Sequence, residues 1–412
     1  MEHSRKYSWS LRHEPVGPLA PYIDGFIGRL SVLGYAETSA HQCTRLAADF
    51  SGWLKQMNVA KEEITPEHTQ RYLKYRAGNQ RPRRGDVAAL KQLLDQLIEK
   101  GVIAPRRTII DVTPVQRLLD KYALYLRQER VLALPTRVNY LRFIRSFLTK
   151  RFGRGRLRLA VLCAADVVRF VQRQAAHLSP KVAAKLVTTA LRSFLRYARY
   201  RGHIAVDLAA AVPAVANWSM ASIPRSIEPD HVRRVLASCN RQSAVGRRDY
   251  AILLLLARLG LRAGEVAGLT LNDIEWEAGC LNVRGKGGHR SALPLPAEVG
   301  EAIAAYLRVG RPVSTSRILF LRAKAPIRGF QSSIAVLSVV RHALARAGID
   351  TPRKGAHQFR HALACEMLRQ GASLPDIGQI LRHRSPQTTA IYAKVDLASL
   401  RPLALPWPGA VR

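Results

Sequence analysis

The chain has 412 residues, with 65 lysines and arginines against 29 aspartates and glutamates, so its formal net charge is +36. Hydrophobic residues make up 48% of the sequence, which excludes a wholly disordered protein and, with the length, predicts two or three domains. Solubility needs far less charge than this. The composition therefore predicts a polyanionic partner, of which nucleic acid is the commonest.

Cysteine usage and hydropathy exclude several other classes of protein. The five cysteines include no C-x-x-C pair, so neither a disulfide framework nor a zinc site is expected. The N-terminal residues contain no apolar stretch of the kind found in a secretory signal. The longest apolar run, at 250–261, is interrupted by Arg258 and is too short to span a bilayer. We expect no membrane partner and a cytoplasmic, nucleoid-associated location.

The first 270 residues are predicted to be mostly helical, because apolar residues recur there at three- and four-residue spacing. The pattern of residues 34–54 parallels that of 133–152, and 64–73 parallels 162–171. This weak repeat predicts two related helical domains in tandem. We place an extra N-terminal domain at 1–108 and a second helical domain at 112–212.

Two helices of the second domain combine an apolar stripe with outward basic residues. Thr136 is the expected cap of one, and Pro180 begins another that turns Leu186 and Phe194 inward. Charge runs usually mark a solvated helix face. Here the outward charges are almost all positive, which favours a surface that contacts DNA phosphates. The candidate DNA-binding residues are Arg137, Arg142, Lys181, Lys185, Arg192 and Arg196.

A linker rich in Ala, Pro and Ser is expected at 213–226, before a third domain at 227–400 and a tail at 401–412. A helix from Pro229 and a buried apolar helix at 250–259 begin this domain. Residues 279–296 alternate apolar and polar positions around Gly-Lys-Gly-Gly, a β-hairpin pattern. Helices resume at Ala297, apart from a loop near 326–329. The fold class is mainly α with a small β-hairpin or sheet, hence α+β.

The first cluster of candidate functional residues lies at 260–274. Gly260 ends the buried helix, so Arg262 begins the next element, with Glu265 one helical turn away. An arginine at an element end suits phosphate binding because its planar fork matches two phosphoryl oxygens. Taken alone, however, this pair is more often a structural ion pair.

The second cluster is a helical face at 355–368. At about 100° per residue, His357, Arg360 and His361 share one face, and Ala364 leaves the space in front of them open. Histidines four residues apart can bind zinc. Arg360 lies between them and would repel a cation, so the spacing favours a phosphate site over a metal site.

The third cluster lies at 371–396. Ser373 and Asp376 form a capping box for a helix that ends at His383. Pro386, after a serine cap, begins another helix that carries Tyr392 about two turns along. A lone tyrosine in such a helix is usually a packing residue.

Together these clusters resemble the tyrosine recombinase (phage integrase) family, which shares its chemistry with type IB topoisomerases. The resemblance covers about residues 115–395, and H-x-x-R-H followed by L-x-H and T-T-x-x-Y is highly specific as a set. The family usually has glycine where this chain has Arg382. The first hundred residues of this chain also fall outside the usual two-domain layout of the family. In chain order the matching catalytic positions are Arg262, Lys286, His357, Arg360, His383 and Tyr392.

The resemblance implies a role for each charged position. Arg262 and Arg360 would bind the non-bridging oxygens of the scissile phosphate, and His383 would donate to the same group. Glu265 would hold Arg262, and His361 would pack beside the site. No cofactor is implied, because the bond to the enzyme conserves the energy of the broken diester.

The resemblance also implies how protons move. Tyr392 would attack the phosphate and become joined to the 3′ phosphate, with His357 as general base. Lys286, at the hairpin tip, would protonate the departing 5′ oxygen. Because a phenol with a pKa near 10 is a poor nucleophile, the nearby cations are expected to lower that pKa.

The expected function is therefore site-specific recombination or integration for a mobile genetic element. The expected partner is double-stranded DNA, clamped by two domains on a flexible linker, within a homotetramer that sister recombinases can join. Residues 397–405 would pack on a neighbouring protomer. The N-terminal domain would bind further DNA sites or a partner recombinase. The alternatives are a catalytically silent architectural protein or repressor, a relaxing topoisomerase and a metal-dependent nuclease.

Overall fold

The computed structural model describes residues 11, 13–104, 113–153, 155–179, 182–216, 226–285, 288–352 and 354–395, without the side chains of 183 and 184. The chain divides into two compact units. One comprises Met1–Arg106 together with Ile223–Arg412, and the other comprises Arg107–Ser222.

The N-terminal part of the first unit is a helical bundle with its own core. Its helices are α1 (Ile23–Val32), α2 (Glu37–Gln56), α3 (Pro66–Asn79) and α4 (Asp86–Glu99). Phe26 and Phe50 are fully buried in this core, and Trp53 stacks beside Phe50. An ion pair of 2.6 Å joins Arg76 of α3 to Asp86 at the start of α4. A second ion pair joins Arg29 of α1 to Glu99 of α4, so apolar faces and charged contacts together fix this part of the chain.

The second unit contains α5 (Pro114–Gln128), α6 (Leu134–Phe152), α7 (Ala164–His177) and α8 (Thr188–Tyr200). Its core packs Tyr122 of α5 edge-to-face against Phe194 of α8, with the ring centroids 5.3 Å apart. The hydroxyl of Tyr122 donates to Ser193 Oγ at 2.8 Å. This bond satisfies a polar group that would otherwise be costly to bury.

Two details of this unit differ from the sequence-based prediction. Helix α6 is capped at Ala133, so Thr136 lies inside its first turn, because the proline after Leu134 is well tolerated there. Leu186 is exposed, whereas Val187 is fully buried. The cause is a π-helical turn over Ala183–Val187, whose extra residue per turn displaces the apolar stripe.

The rest of the first unit begins with α9 (Pro229–Ala237), α10 (Ala244–Arg258) and α11 (Ala263–Gly268). Residues 251–256 of α10 are fully buried in the core of this part of the unit. A three-stranded antiparallel sheet follows, in the order β1 (Ile274–Glu275), β2 (Cys280–Arg284) and β3 (Arg290–Pro294). Leu281 pairs with Leu293, which confirms the predicted hairpin. Strand β1 is only two residues long, which is too short to show the alternation of apolar and polar residues that predicts a strand.

The remaining helices are α12 (Ala297–Ala305), α13 (Ser333–Arg346), α14 (His357–Arg369), α15 (Leu374–Ile380) and α16 (Pro386–Thr389), and a 3₁₀ helix over Ala390–Val395 follows. The irregular segment before α13 is longer than the predicted loop near 326–329. This segment is held by single β-bridges and by Arg311. The guanidinium of Arg311 donates to the carbonyls of Ser316 and Ile318. The predicted class, mainly α with a small sheet, is confirmed.

Candidate active site

Arg262 is presented by a sharp change of direction after α10. Gly260 has φ +56°, a conformation that glycine adopts without strain, and Arg262 is the N-cap of α11. Glu265 accepts from the Arg262 backbone N–H at 2.9 Å and from its guanidinium at 2.7 Å. The Glu265 side chain is 4% exposed and that of Arg262 is 32% exposed. The carboxylate therefore anchors the arginine from the inside.

The electrostatics of Glu265 agree with this anchoring role. Burial works to raise the pKa of its carboxyl group, but hydrogen bonds from Arg262 and the charges of Arg262 and Arg382 outweigh it. The pKa of Glu265 is consequently lower than usual, and the group is ionised at neutral pH. One carboxylate thus lies between two guanidinium groups, since Arg382 Nη2 donates to it at 2.9 Å.

Arg360 lies in the first turn of α14 and is 3% exposed. Its Nη1 donates to the Gly260 carbonyl at 2.6 Å, and its Nη2 donates to the Leu381 carbonyl. It therefore joins the turn after α10 to the end of α15. Burial, with the charges of Arg262 and Arg382, lowers the pKa of Arg360 to about 10. The guanidinium stays charged at neutral pH, in surroundings that favour an anion.

Tyr392 lies in the 3₁₀ helix after α16 and is 1% exposed. Its hydroxyl is 2.8 Å from His361 Nδ1, and the two rings meet edge-to-face at 5.6 Å. Burial raises the pKa of the phenol to about 12, although the charge of Arg360 opposes this. Arg360 thus lowers this pKa as predicted, but the net shift is upward in this structure, because desolvation outweighs its charge.

The His383 ring stacks on that of Tyr392, with the centroids 6.5 Å apart and 6° between the planes. Its Nδ1 lies 2.8 Å from the hydroxyl oxygen of Thr389, which is 2% exposed. Burial, then the charges of Arg360 and Arg262, lower the pKa of His383 to about 4. His383 is neutral at pH 7. If Thr389 donates to Nδ1, the ring hydrogen lies on Nε2 and can be donated elsewhere.

We predict that this histidine destabilises the protein in mild acid. An unfolded chain binds a proton at His383 near pH 6.5, whereas the folded chain binds it near pH 4. The unfolded state binds more protons between those values, so the free energy of unfolding falls as the pH drops through them. Urea unfolding at a series of pH values measures this slope. His383→Asn, which keeps an acceptor near Thr389, should have a shallower slope, and identical slopes would contradict the prediction.

The structure brings most of the predicted site residues together. Arg262, Glu265 and Arg360 lie around the turn after α10, while His361, His383 and Tyr392 share hydrogen bonds and ring contacts. The ring of His357, which is exposed, has its centroid 6.4 Å from that of His361. Lys286 lies outside the described residues, as do residues 397–405. Their roles stay predictions.

Two residues take part in ways that sequence reasoning did not predict. His361 was expected to pack beside the site, yet it contacts the phenol oxygen. Arg382 was noted only as a departure from glycine, and its side chain reaches Glu265. The sequence did offer a signal for His361, because it shares a helical face with Arg360. For the second, the unusual residue type at a helix end was the available signal.

The candidate DNA-binding residues of the second unit fall into different surroundings. Arg142, Lys185 and Arg196 are exposed, and Arg137 is half-buried. Arg192 is also half-buried, and it donates to the carbonyl of Val212 at 2.9 Å, which makes it a structural residue of this unit. Lys181 lies outside the described residues.

The described part of the chain offers neither a metal-binding cluster nor a membrane-spanning helix. Within it, no three His, Cys, Asp or Glu residues are grouped closely enough to hold a metal ion. None of the helices described there combines the length and the apolar character that crossing a membrane requires.

Comparison with known proteins gives the family. Residues 225–398 match the model of the phage integrase family. A relative described as integrase/recombinase y4rA, from Sinorhizobium fredii, is 53% identical over 411 residues, which are 99% of either chain. Tyrosine recombinase XerD of Mycobacterium tuberculosis is 31% identical over 310 residues, covering 71% of this chain and 96% of the relative.

Solved structures share the fold. The post-cleavage complex of XerH site-specific recombinase with palindromic difH substrate aligns with a TM-score of 0.56 at 20% identity, over 84% of this chain and 98% of that one. A lambda integrase tetramer bound to a Holliday junction aligns with a TM-score of 0.52 at 18% identity, over 76% and 87%. The chain therefore belongs to the phage integrase family and is a tyrosine-type site-specific recombinase.

Proposed function

We propose that this recombinase cleaves one DNA strand at a time by attack of the Tyr392 hydroxyl on the scissile phosphate. The observation that carries the proposal is that segments far apart in the chain meet at Arg360. It donates to the Gly260 carbonyl, two residues before Arg262, and its charge acts on the Tyr392 phenol, which contacts the adjacent His361. A bond forms between Tyr392 Oη and phosphorus while the bond to the 5′ oxygen breaks. The 3′-phosphotyrosyl bond retains the energy for rejoining, so ligation is the reverse reaction.

The two arginines would stabilise the charge that builds up on the phosphate. Arg360 is fixed before DNA binds, because two of its nitrogens already donate to buried carbonyls. Arg262 is fixed at one nitrogen by Glu265, and about a third of its side chain is open to a ligand. Preorganised donors of this kind are commonly worth about 3–4 kcal/mol each in the transition state. The neutral His383 ring would add a third donor through Nε2.

The proton of the phenol would pass to His361, whose Nδ1 lies 2.8 Å from the hydroxyl oxygen. His357 is exposed one turn earlier on the same helix, and we propose it as the next acceptor. Lys286, which follows β2 in the hairpin, would protonate the departing 5′ oxygen. Because Tyr392 is buried, DNA binding must uncover its hydroxyl, so that the oxygen reaches phosphorus while its hydrogen is still directed at His361.

We further propose that the chain binds double-stranded DNA and acts as a homotetramer, with the helical domain at 112–212 contributing Arg142, Lys185 and Arg196. The net charge of +36 supports a DNA partner. Solved relatives support the assembly, since lambda integrase is described as a tetramer bound to a Holliday junction. We assign catalysis to 227–400 and leave 1–108 as an additional domain.

The DNA contacts predict a change in salt dependence. Replacing Arg142, Lys185 and Arg196 together by glutamine should reduce the slope of log K against log salt by roughly 2 to 3, at about 0.9 per lost phosphate contact. Binding of a fluorescent duplex across a salt series measures it. Arg201→Gln is the control, because Arg201 already pairs with Glu129 and its charge is largely neutralised. A triple variant with the same slope as the wild type would exclude these contacts.

A nicked duplex tests the proposed reaction directly. Duplexes from the DNA that flanks the coding sequence are nicked just beyond each candidate cleavage point, so that a short fragment is lost and religation stops. The wild type should form an adduct that survives detergent and chelator, and mass spectrometry of the digest should find the nucleotide on Tyr392. DNA binding without an adduct would indicate a silent DNA-binding protein. Relaxation of a supercoiled plasmid that lacks any recognition site would indicate a topoisomerase. Loss of activity in the presence of chelator would indicate a metal-dependent nuclease.

A further inference from the structure

Arg382 occupies a backbone conformation that normally belongs to glycine. Its φ is +55°, directly after the last turn of α15. The His383 N–H donates to the Gly378 carbonyl and the Arg382 N–H donates to the Gln379 carbonyl, both at 2.9 Å. These two bonds define a Schellman motif, whose left-handed position is usually glycine because a Cβ atom is unfavourable there. The turn itself therefore gives no reason for an arginine.

The side chain of Arg382 supplies that reason. Its Nη2 donates to Glu265 Oε2 at 2.9 Å, and the side chains of Arg382 and Glu265 are only 11% and 4% exposed. The same oxygen accepts from the backbone N–H of Arg262, while Oε1 accepts from its guanidinium. Glu265 is thus held from two sides, by α11 and by the turn after α15.

We propose that Arg382 is a positioning residue for the cleavage reaction, which fixes Glu265 and thereby directs Arg262 towards the scissile phosphate. The same contact reaches the turn before His383, but the backbone bonds to Gly378 and Gln379 hold that turn without the arginine side chain. With glycine at position 382, Glu265 would keep only its bonds to Arg262, and the two residues could move together. The inference rests on the proposed function.

Arg382→Gly is the informative variant, because glycine removes the side chain and also suits the left-handed backbone. We expect it to melt at the wild-type temperature or above and to bind the duplex within about twofold of the wild type. Single-turnover adduct formation on the nicked duplex should slow by roughly 10- to 100-fold, less than the loss expected when a direct phosphate donor is removed. Arg382→Lys, which keeps the charge, should restore part of this rate.

A double-mutant cycle separates positioning from an independent effect. In an Arg262→Ala background, Arg382→Gly should change the rate by less than about twofold, because the residue to be positioned is absent. Equal slowing in both backgrounds would overturn the proposal, and so would a wild-type rate for Arg382→Gly. The proposed function fails by a different result, namely a wild-type protein that forms no adduct.

Discussion

Tyr392→Phe is expected to form no covalent adduct with nicked DNA, while its affinity for the duplex stays within about twofold of the wild type. The substitution removes only the hydroxyl that attacks phosphorus. The ring would remain packed in the small core formed by Ala364, Ile377 and Leu381. Denaturing electrophoresis of the reaction measures the adduct, and fluorescence anisotropy measures binding.

Tyr122→Phe is a matched control for the loss of a buried tyrosine hydroxyl. Tyr122 donates to Ser193 in the second unit at 2.8 Å, the same distance that separates the Tyr392 oxygen from His361. Each variant should lower the free energy of unfolding by about 1 kcal/mol, the usual net value of such a hydrogen bond. Only Tyr392→Phe should abolish the adduct. An adduct with Tyr392→Phe would show that another residue is the nucleophile.

The parts of the site that the sequence predicted are those fixed by local rules. Glycine at position 260 marks the end of a helix, and this alone places Arg262 at the start of the next element. Helical periodicity places Arg360 and His361 on one face. The alternation around Gly-Lys-Gly-Gly predicts the hairpin, which the strand pairing confirms. Each of these predictions depends only on residues that are close together in the sequence.

The parts that the sequence did not predict depend on tertiary contacts. Periodicity places His357 and His361 on the same face, but only the packed position of Tyr392 decides which ring it meets. The pKa of the phenol depends on burial, which composition does not give. Arg382 reaches a carboxylate in a distant element, and the π-helical turn near Leu186 shifts a stripe that looks regular as a sequence.

Arg360→Ala is expected to reduce the rate of adduct formation by at least ~10²- to 10³-fold, the range found when a preorganised donor is removed. Its effect on stability should be small, because two contributions nearly cancel. Two buried carbonyls lose charged donors, at about 1–3 kcal/mol each. In return, a buried guanidinium is removed whose pKa, lowered from 12.5 to about 10, corresponds to roughly 3 kcal/mol of unfavourable desolvation and repulsion.

Arg248→Ala, in the same unit, should have the opposite pair of effects: a large loss of stability and no direct loss of cleavage rate. Arg248 is also buried and donates to the Leu321 carbonyl at 3.1 Å, but it is paired with Asp249 at 2.7 Å. Removing it leaves a buried carboxylate without its partner, which commonly costs about 3–5 kcal/mol, and has no direct effect on phosphate binding. Urea unfolding and single-turnover cleavage, corrected for the folded fraction, compare the two variants. Because burial alone would make the two arginines behave alike, a rate for Arg360→Ala close to that of Arg248→Ala would make Arg360 a packing residue and remove it from the phosphate site.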